Sequence, residues 1–261
     1  MLRWAAMLLL IACVATDPPL PPDFDEAVHL AFRKLESGTD EELADLLLVM
    51  ESEIDSDLDL GGDVIARSFQ PTPLTEDDLE GLEVPERDPA LAVTNALARV
   101  SQFPRESHVP LALFEDQTPL EPQCPTHYVR SFAEGEDCWP DCFMRTENDL
   151  TKESGLFIAD YVLPKQYRAV PLEDGRTATM TRTWTRDTVV AREDAARIEQ
   201  SESFEFFLDR PDGSGALRMM AVWSETSFAA HEIEDWIIEG TVRAGTESIF
   251  VRHDEWLLAQ P

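Results

Sequence analysis

The 261-residue chain is 43% apolar and carries a formal net charge of −31. The apolar fraction excludes wholesale disorder, and the length suffices for one large or two small hydrophobic cores. Acidic side chains are spread along both halves, a field that repels phosphate backbones and argues against nucleic acid as a partner.

Arg3 precedes the uninterrupted apolar run 4–11. A membrane helix needs roughly 20 such residues, so the short run behind one positive charge reads as an export signal. Leu10-Ile11-Ala12-Cys13 resembles the lipobox of bacterial lipoproteins. The resemblance implies removal of residues 1–12, diacylglycerol and further fatty acylation on Cys13, and a membrane anchor through that lipid. Val14 stands where an aspartate would signal retention, so the resemblance implies the outer membrane of the cell envelope. Residues 13–22 then form the lipidated cysteine and a proline-rich, extended tether.

Residues 23–103 read as an acidic helical region. Asp23 or Asp25 can cap a helix whose stripe is Ala27, Val28, Ala31, Phe32 and Leu35, ended near Ser37 by Gly38. Thr39 and Glu42 form a capping box for a second helix, with Leu43, Leu46, Leu47 and Met50 as its apolar face. Residues 55–88 read mostly as loop. Asp88 and Pro89 predict a third helix to about Phe103.

Residues 104–155 are rich in cysteine and proline and read as irregular. From 156 to 261 the texture is that of an antiparallel β-domain, with segments 156–163, 166–172 and 177–186 as its first strands. Threonines alternate with Ala178, Met180, Arg182 and Trp184; Phe204, Phe206 and Leu208 share a face, as do Leu217, Met219, Ala221 and Trp223. Pro211-Asp212-Gly213-Ser214-Gly215 is a hairpin turn. Residues 187–199 fit either a helix or the arms of a hairpin, and 232–242 and 246–258 are expected to be two more strands. The class is α+β: an N-terminal helical segment followed by an antiparallel meander, curved or partly closed into a barrel, whose stable unit starts near residue 104.

Cys124, His127, Cys138 and Cys142 have donor types and spacings that zinc accepts. In an oxidising compartment thiols pair instead, and with Cys13 lipidated the three remaining cysteines predict one disulfide and one spare thiol. Cys124 joined to Cys138 or Cys142 would pin an irregular loop; a 138–142 bridge closes a small ring. The sequence leaves the pairing open, and no metal or other cofactor is expected. Asp55, Asp57 and Asp59 begin like an EF-hand loop, but Leu60 and Ala66 replace its glycine and glutamate. His231-Glu232 lacks the second histidine of a zinc-protease helix, and His29, His108 and His253 have no sequence-local partners. Trp184, Trp223, Trp236 and Trp256 are expected to pack in a sheet core.

No catalytic motif stands out. The leading expectation is a non-enzymatic envelope lipoprotein that binds a partner or supports the envelope. A periplasmic carrier of an apolar small molecule is the alternative, and a hydrolase with a site assembled from distant residues stands third. The anchor is directly testable: Cys13→Ser should abolish incorporation of a fatty-acid probe and leave an unprocessed precursor. Equal labelling of both proteins would exclude Cys13.

Overall fold

The computed structural model describes residues 23–55, 66–153, 156–229 and 233–260. Two helices come first, α1 (Phe24–Lys34) and α2 (Asp40–Asp55). Asp23 caps α1 by accepting from the Glu26 amide at 2.9 Å. The capping box of α2 is reciprocal: the Glu42 amide donates to Thr39 Oγ1 at 3.2 Å, and the Thr39 amide to the Glu42 carboxylate at 2.9 Å. Both helices form where the sequence predicts them.

Among the described residues, nine strands follow in one antiparallel sheet: β1 (Ala66–Phe69), β2 (Val93–Ser101), β3 (Tyr128–Glu134), β4 (Met144–Glu153), β5 (Ile158–Pro171), β6 (Thr177–Trp184), β7 (Val189–Val190), β8 (Ala196–Asp209) and β9 (Ala216–Phe228). The order across the sheet is β1-β2-β9-β8-β6-β5-β4-β3, with β7 added alongside β8. The sheet is open, with β1 and β3 at its two edges. A one-turn helix, α3 (Arg105–His108), follows β2, and a long helix, α4 (Asp235–Leu258), ends the chain.

Several expectations are corrected. Asp88 does cap a helical turn, but it is a single 3-10 turn (Pro89–Leu91), and the predicted third helix is instead β2. Val93, Thr94 and Val100 suit a strand, and pairing with β9 along nine residues outweighs local helix propensity. The segment 104–155 contains β3 and β4. The two strands expected over 232–258 are one helix: Val242, Thr246, Ile249, Phe250 and His253 recur at helical spacing, a pattern the alternating Trp and Ile residues at its start obscure. Residues 187–199 are two short hairpin arms, Val189 facing Ile198.

Strand alternation gives the sheet two unlike faces. Ala178 and Met180 of β6, Phe204 and Phe206 of β8, and Met219, Ala221 and Trp223 of β9 pack beneath Ala27, Ala31 and Phe32 of α1 and Leu43, Leu47 and Met50 of α2. Trp223 is fully buried 5.7 Å edge-on from the Phe32 ring, and its indole N–H donates to the Thr72 carbonyl at 2.9 Å. Arginines on this face seat the helices. Arg182 donates to the Phe32 carbonyl at 2.9 Å, and Arg168 to the Leu35 and Gly38 carbonyls at 3.0 and 2.8 Å, meeting acceptors that the end of α1 leaves open.

The core therefore draws on both the predicted helical region and the predicted β-domain. A chain starting at residue 104 would lose β2 from beside β9 and uncover Phe204, Phe206 and Trp223. It should show no cooperative thermal transition by circular dichroism, whereas a sharp transition near that of the full chain would show that the sheet needs neither β2 nor the helices.

Candidate functional site

The opposite face of the sheet is built from the alternate residues. In register they are Leu150 against Tyr161, Lys165 against Thr183, Thr181 against Glu205, and Glu205 against Met220. Helix α4 crosses this face over β2 and β9. The turn 117–124, held by the Glu121 and Cys124 amides donating to the Gln117 and Glu121 carbonyls, closes the side. Gly245 leaves room for the Gln123 amide, which a methyl group there would approach to 2.0 Å and displace.

Between sheet, helix and turn lie two cavities that share Glu121 and Lys165 as lining residues. The outer one, about 160 Å³, is walled by Leu163, Met220, Val222, Val242 and Ile249, with Thr183, Ser201 and Ser203 as a hydroxyl floor. The inner one, about 40 Å³, is lined by His108, Arg130, Trp139, Tyr167, Glu205 and His253. A water molecule needs only ~10–15 Å³ by this kind of measure, so both have room for solvent or a ligand group.

The inner end is dense in charge. Glu205 accepts from Arg218 at 2.8 Å and lies 3.7 Å from Lys165. Arg218, fully buried behind it, is sandwiched between the Phe207 and Phe250 rings at 4.3 and 4.1 Å. This ties α4 to the sheet. Arg130 donates to Asn148 at 2.8 Å and to the Ala112 carbonyl at 2.7 Å. Burial and the Arg218 charge hold His108 down to about 3, so its ring is neutral beside the Ser101 hydroxyl at 3.1 Å. Burial and the Arg218 charge also hold His253 well below the ordinary histidine range, and its two buried ring nitrogens have no hydrogen-bond partner among the described residues. Burial pushes the Glu121 carboxyl up to about 7, against the pull of Lys165.

The residues singled out from sequence scatter. Cys13 lies outside the described residues, as do Asp57, Asp59 and His231. Asp55 accepts from Arg210 at 3.1 Å. Cys138 and Cys142 form a disulfide with Cα atoms 5.6 Å apart, and Cys124 is a buried free thiol on the outer chamber wall. His127 lies 3.3 Å from Asp149 rather than with the cysteines. Among the described residues, no three metal-binding side chains gather. His29 meets Asp78 at 3.0 Å, away from the chamber. Of the four tryptophans expected in a sheet core, Trp184 and Trp223 sit in strands, but Trp236 and Trp256 belong to α4, and Trp236 is 69% exposed. The chamber residues Glu121, Arg130, Lys152, Lys165 and Glu205 are not among those the sequence singles out. The available signal is charge at alternate positions of apolar strands, as in Phe204-Glu205-Phe206 and Leu217-Arg218-Met219.

No protein-family model matches the chain, and no curated protein matches it. Similar solved structures include a STAR-related lipid transfer protein fragment from Xanthomonas axonopodis, 12% identical with a TM-score of 0.45, covering 74% of this chain and 93% of that one. Human STARD10 is 7% identical with a TM-score of 0.44, covering 81% and 80%. The protein TTHA0849 from Thermus thermophilus is 15% identical with a TM-score of 0.41, covering 63% and 96%. Likenesses this distant transfer no ligand, so the functional reading rests on the chamber itself.

Glu121 makes the chamber testable by pH. Because its folded-state affinity for a proton exceeds that of an unfolded carboxyl near 4.5, the folded chain retains the proton between about pH 4.5 and 7 while the unfolded chain releases it. Stability from this group therefore falls as pH rises through that window and is level above it. Glu121→Gln should be more stable than the parent by on the order of 1–3 kcal/mol at pH 8 and equal to it near pH 4. Urea midpoints at both pH values measure this; a constant difference would mean that the carboxyl is not perturbed.

Proposed function

We propose that the protein is a carrier that encloses one amphipathic small molecule between the sheet and α4. The apolar part of the ligand occupies the outer chamber, and its polar end faces the inner one. The observation that carries this reading is His253: it lines the inner cavity, its two buried ring nitrogens have no partner among the described residues, and that cavity shares Glu121 and Lys165 with the apolar outer chamber. A core that served packing alone would leave such groups unsatisfied at a cost of about 1–3 kcal/mol each, whereas a ligand's polar end or water satisfies them.

Helix α4 is suited to act as the cover. Of its 24 residues only Gly245, Thr246 and Phe250 are fully buried, while Trp236 and Leu258 stay exposed. An element with so little buried apolar area opens at low free-energy cost. The chamber favours a carrier over a purely structural envelope module. The same proposal includes export and a lipid anchor on Cys13 at the outer membrane, supported by the lipobox-like residues 10–13 alone. Nine residues lie between Cys13 and Asp23, a span of at most about 36 Å when extended, so the carrier would stand close to the bilayer.

The fluorescent fatty acid cis-parinaric acid provides the test. It should bind with one-to-one saturation, and Val222→Trp, which fills the outer chamber, should weaken binding at least about tenfold, equivalent to roughly 1.4 kcal/mol. Circular dichroism checks that the variant is folded. Absence of saturable binding to the parent chain, or equal binding by a folded Val222→Trp variant, would exclude the chamber as a ligand site.

A further inference from the structure

The basic residues of this chain are very unevenly chosen. Of 21, only three are lysines: Lys34, Lys152 and Lys165. Lys34 is on the surface, paired with Glu42 at 2.9 Å. The other two line the ligand chamber. Lys165 lies 3.7 Å from Glu205 and 5.2 Å from the Tyr167 ring centroid. Lys152, near the end of β4, has no side-chain hydrogen bond or ion pair among the described residues. It stands on the same strand face as Leu150, among the outer-chamber residues Cys124, Tyr128, Tyr161 and Leu163.

An arginine could provide charge at such a position, but only lysine provides an amine that becomes a nucleophile on losing its proton. A lysine walled by apolar and phenolic side chains, with no carboxylate in contact, holds its proton less firmly than one in water. Resting on the carrier reading above, we propose that Lys152 captures the carbonyl of an amphipathic aldehyde in the outer chamber as a Schiff base, so that aldehydes are the ligand class.

The chemistry balances without an oxidant or reductant. The neutral amine nitrogen adds to the aldehyde carbon, and the carbonyl electron pair moves to oxygen, which is protonated. The resulting carbinolamine expels its hydroxyl as water, leaving a carbon–nitrogen double bond. Amine and aldehyde go in; imine and one water come out. Glu121 lines the same chamber, and its carboxyl remains largely protonated to about pH 7, so it is the acid available to protonate the departing hydroxyl. Burial lowers the proton affinity of Lys152, and the two groups that would oppose this as anions, Glu121 and Cys124, are themselves held protonated. The neighbouring Cys124 thiol is pushed up to about 12 and does not compete as a thiolate.

The test uses the folded full chain, n-decanal as the probe, sodium cyanoborohydride to reduce any imine to a stable secondary amine, and peptide mapping by mass spectrometry. Lys152 should be alkylated at least about tenfold faster than Lys34, because the chamber holds the aldehyde beside an amine that burial leaves more readily neutral. Saturating cis-parinaric acid should suppress the Lys152 adduct and leave the slow reaction at Lys34 unchanged. Lys152→Arg should remove the fast adduct. If that variant does not fold, mapping and competition on the parent chain decide the matter alone. Parinaric acid binding without preferential labelling of Lys152 would overturn the Schiff base and leave the carrier intact. Neither binding nor preferential labelling would overturn both, and fast labelling that parinaric acid does not suppress would place the reaction outside the chamber and overturn the proposal.

Discussion

Side chains on a strand alternate between two faces, and every other feature of this molecule depends on that constraint. In β6, β8 and β9 one parity is Ala178, Met180, Phe204, Phe206, Met219 and Trp223, and it must be covered; α1 and α2 cover it. The other parity includes Thr179, Thr181, Ser203, Glu205, Arg218 and Met220, too polar for a dry core and too sheltered for a free surface. A one-residue slip in any of these strands would exchange the two sets. The helical hairpin thus fixes the register, and the register fixes which polar groups look into the chamber.

How much of this is legible in the sequence follows the range of the forces involved. Caps and turns are local, so the two N-terminal helices and the Pro211–Gly215 turn read correctly, the turn with Gly213 at φ 71° and Gly215 at φ 129°. The apolar parity of β8 and β9 is equally clear. Residues 93–101 and 235–258 mislead in opposite directions because partners distant in the chain determine both: β9 makes the first a strand, and the sheet face beneath the second selects one side of a helix. The chamber is the least legible part. Its residues come from β3, β4, β5, β6, β8, β9, α3, α4, the segment 109–112, Trp139 and the turn at 117–124, and no spacing along the chain links Glu121 to His253 or Lys165 to Thr183. Charges isolated within apolar strands are the one local trace.

Buried and half-buried cations also do structural work on the helical face. Arg176 grips Glu51 of α2 through two contacts at 2.5 and 2.8 Å, and Arg210 reaches Asp55 at 3.1 Å, while Arg168 and Arg182 hold the end of α1. Bidentate and multiply bonded guanidinium groups suit these positions better than a lysine would. Losing one partner would leave the other charge buried and unmatched, which typically costs more than the pair contributes. The helices are therefore fastened to the sheet by directional bonds in addition to apolar packing, which sets their angle as well as their proximity.

In the proposed carrier, this allocation of charge would make the molecule a selective filter. With a net charge of −31 and several of its basic residues buried, the protein presents a negative exterior around a chamber lined by Arg130, Lys152 and Lys165 with only Glu121 and Glu205 as acidic groups among the described residues. If ligands enter that carrier beneath α4, an anion approaching from solution would meet repulsion first and attraction only inside, whereas an uncharged molecule would cross the outer field without that penalty. Added salt shortens the range of that repulsion. Ionic strength should therefore govern how quickly charged molecules enter far more than it governs neutral ones, so the surface discriminates among candidates before any of them touches the lining.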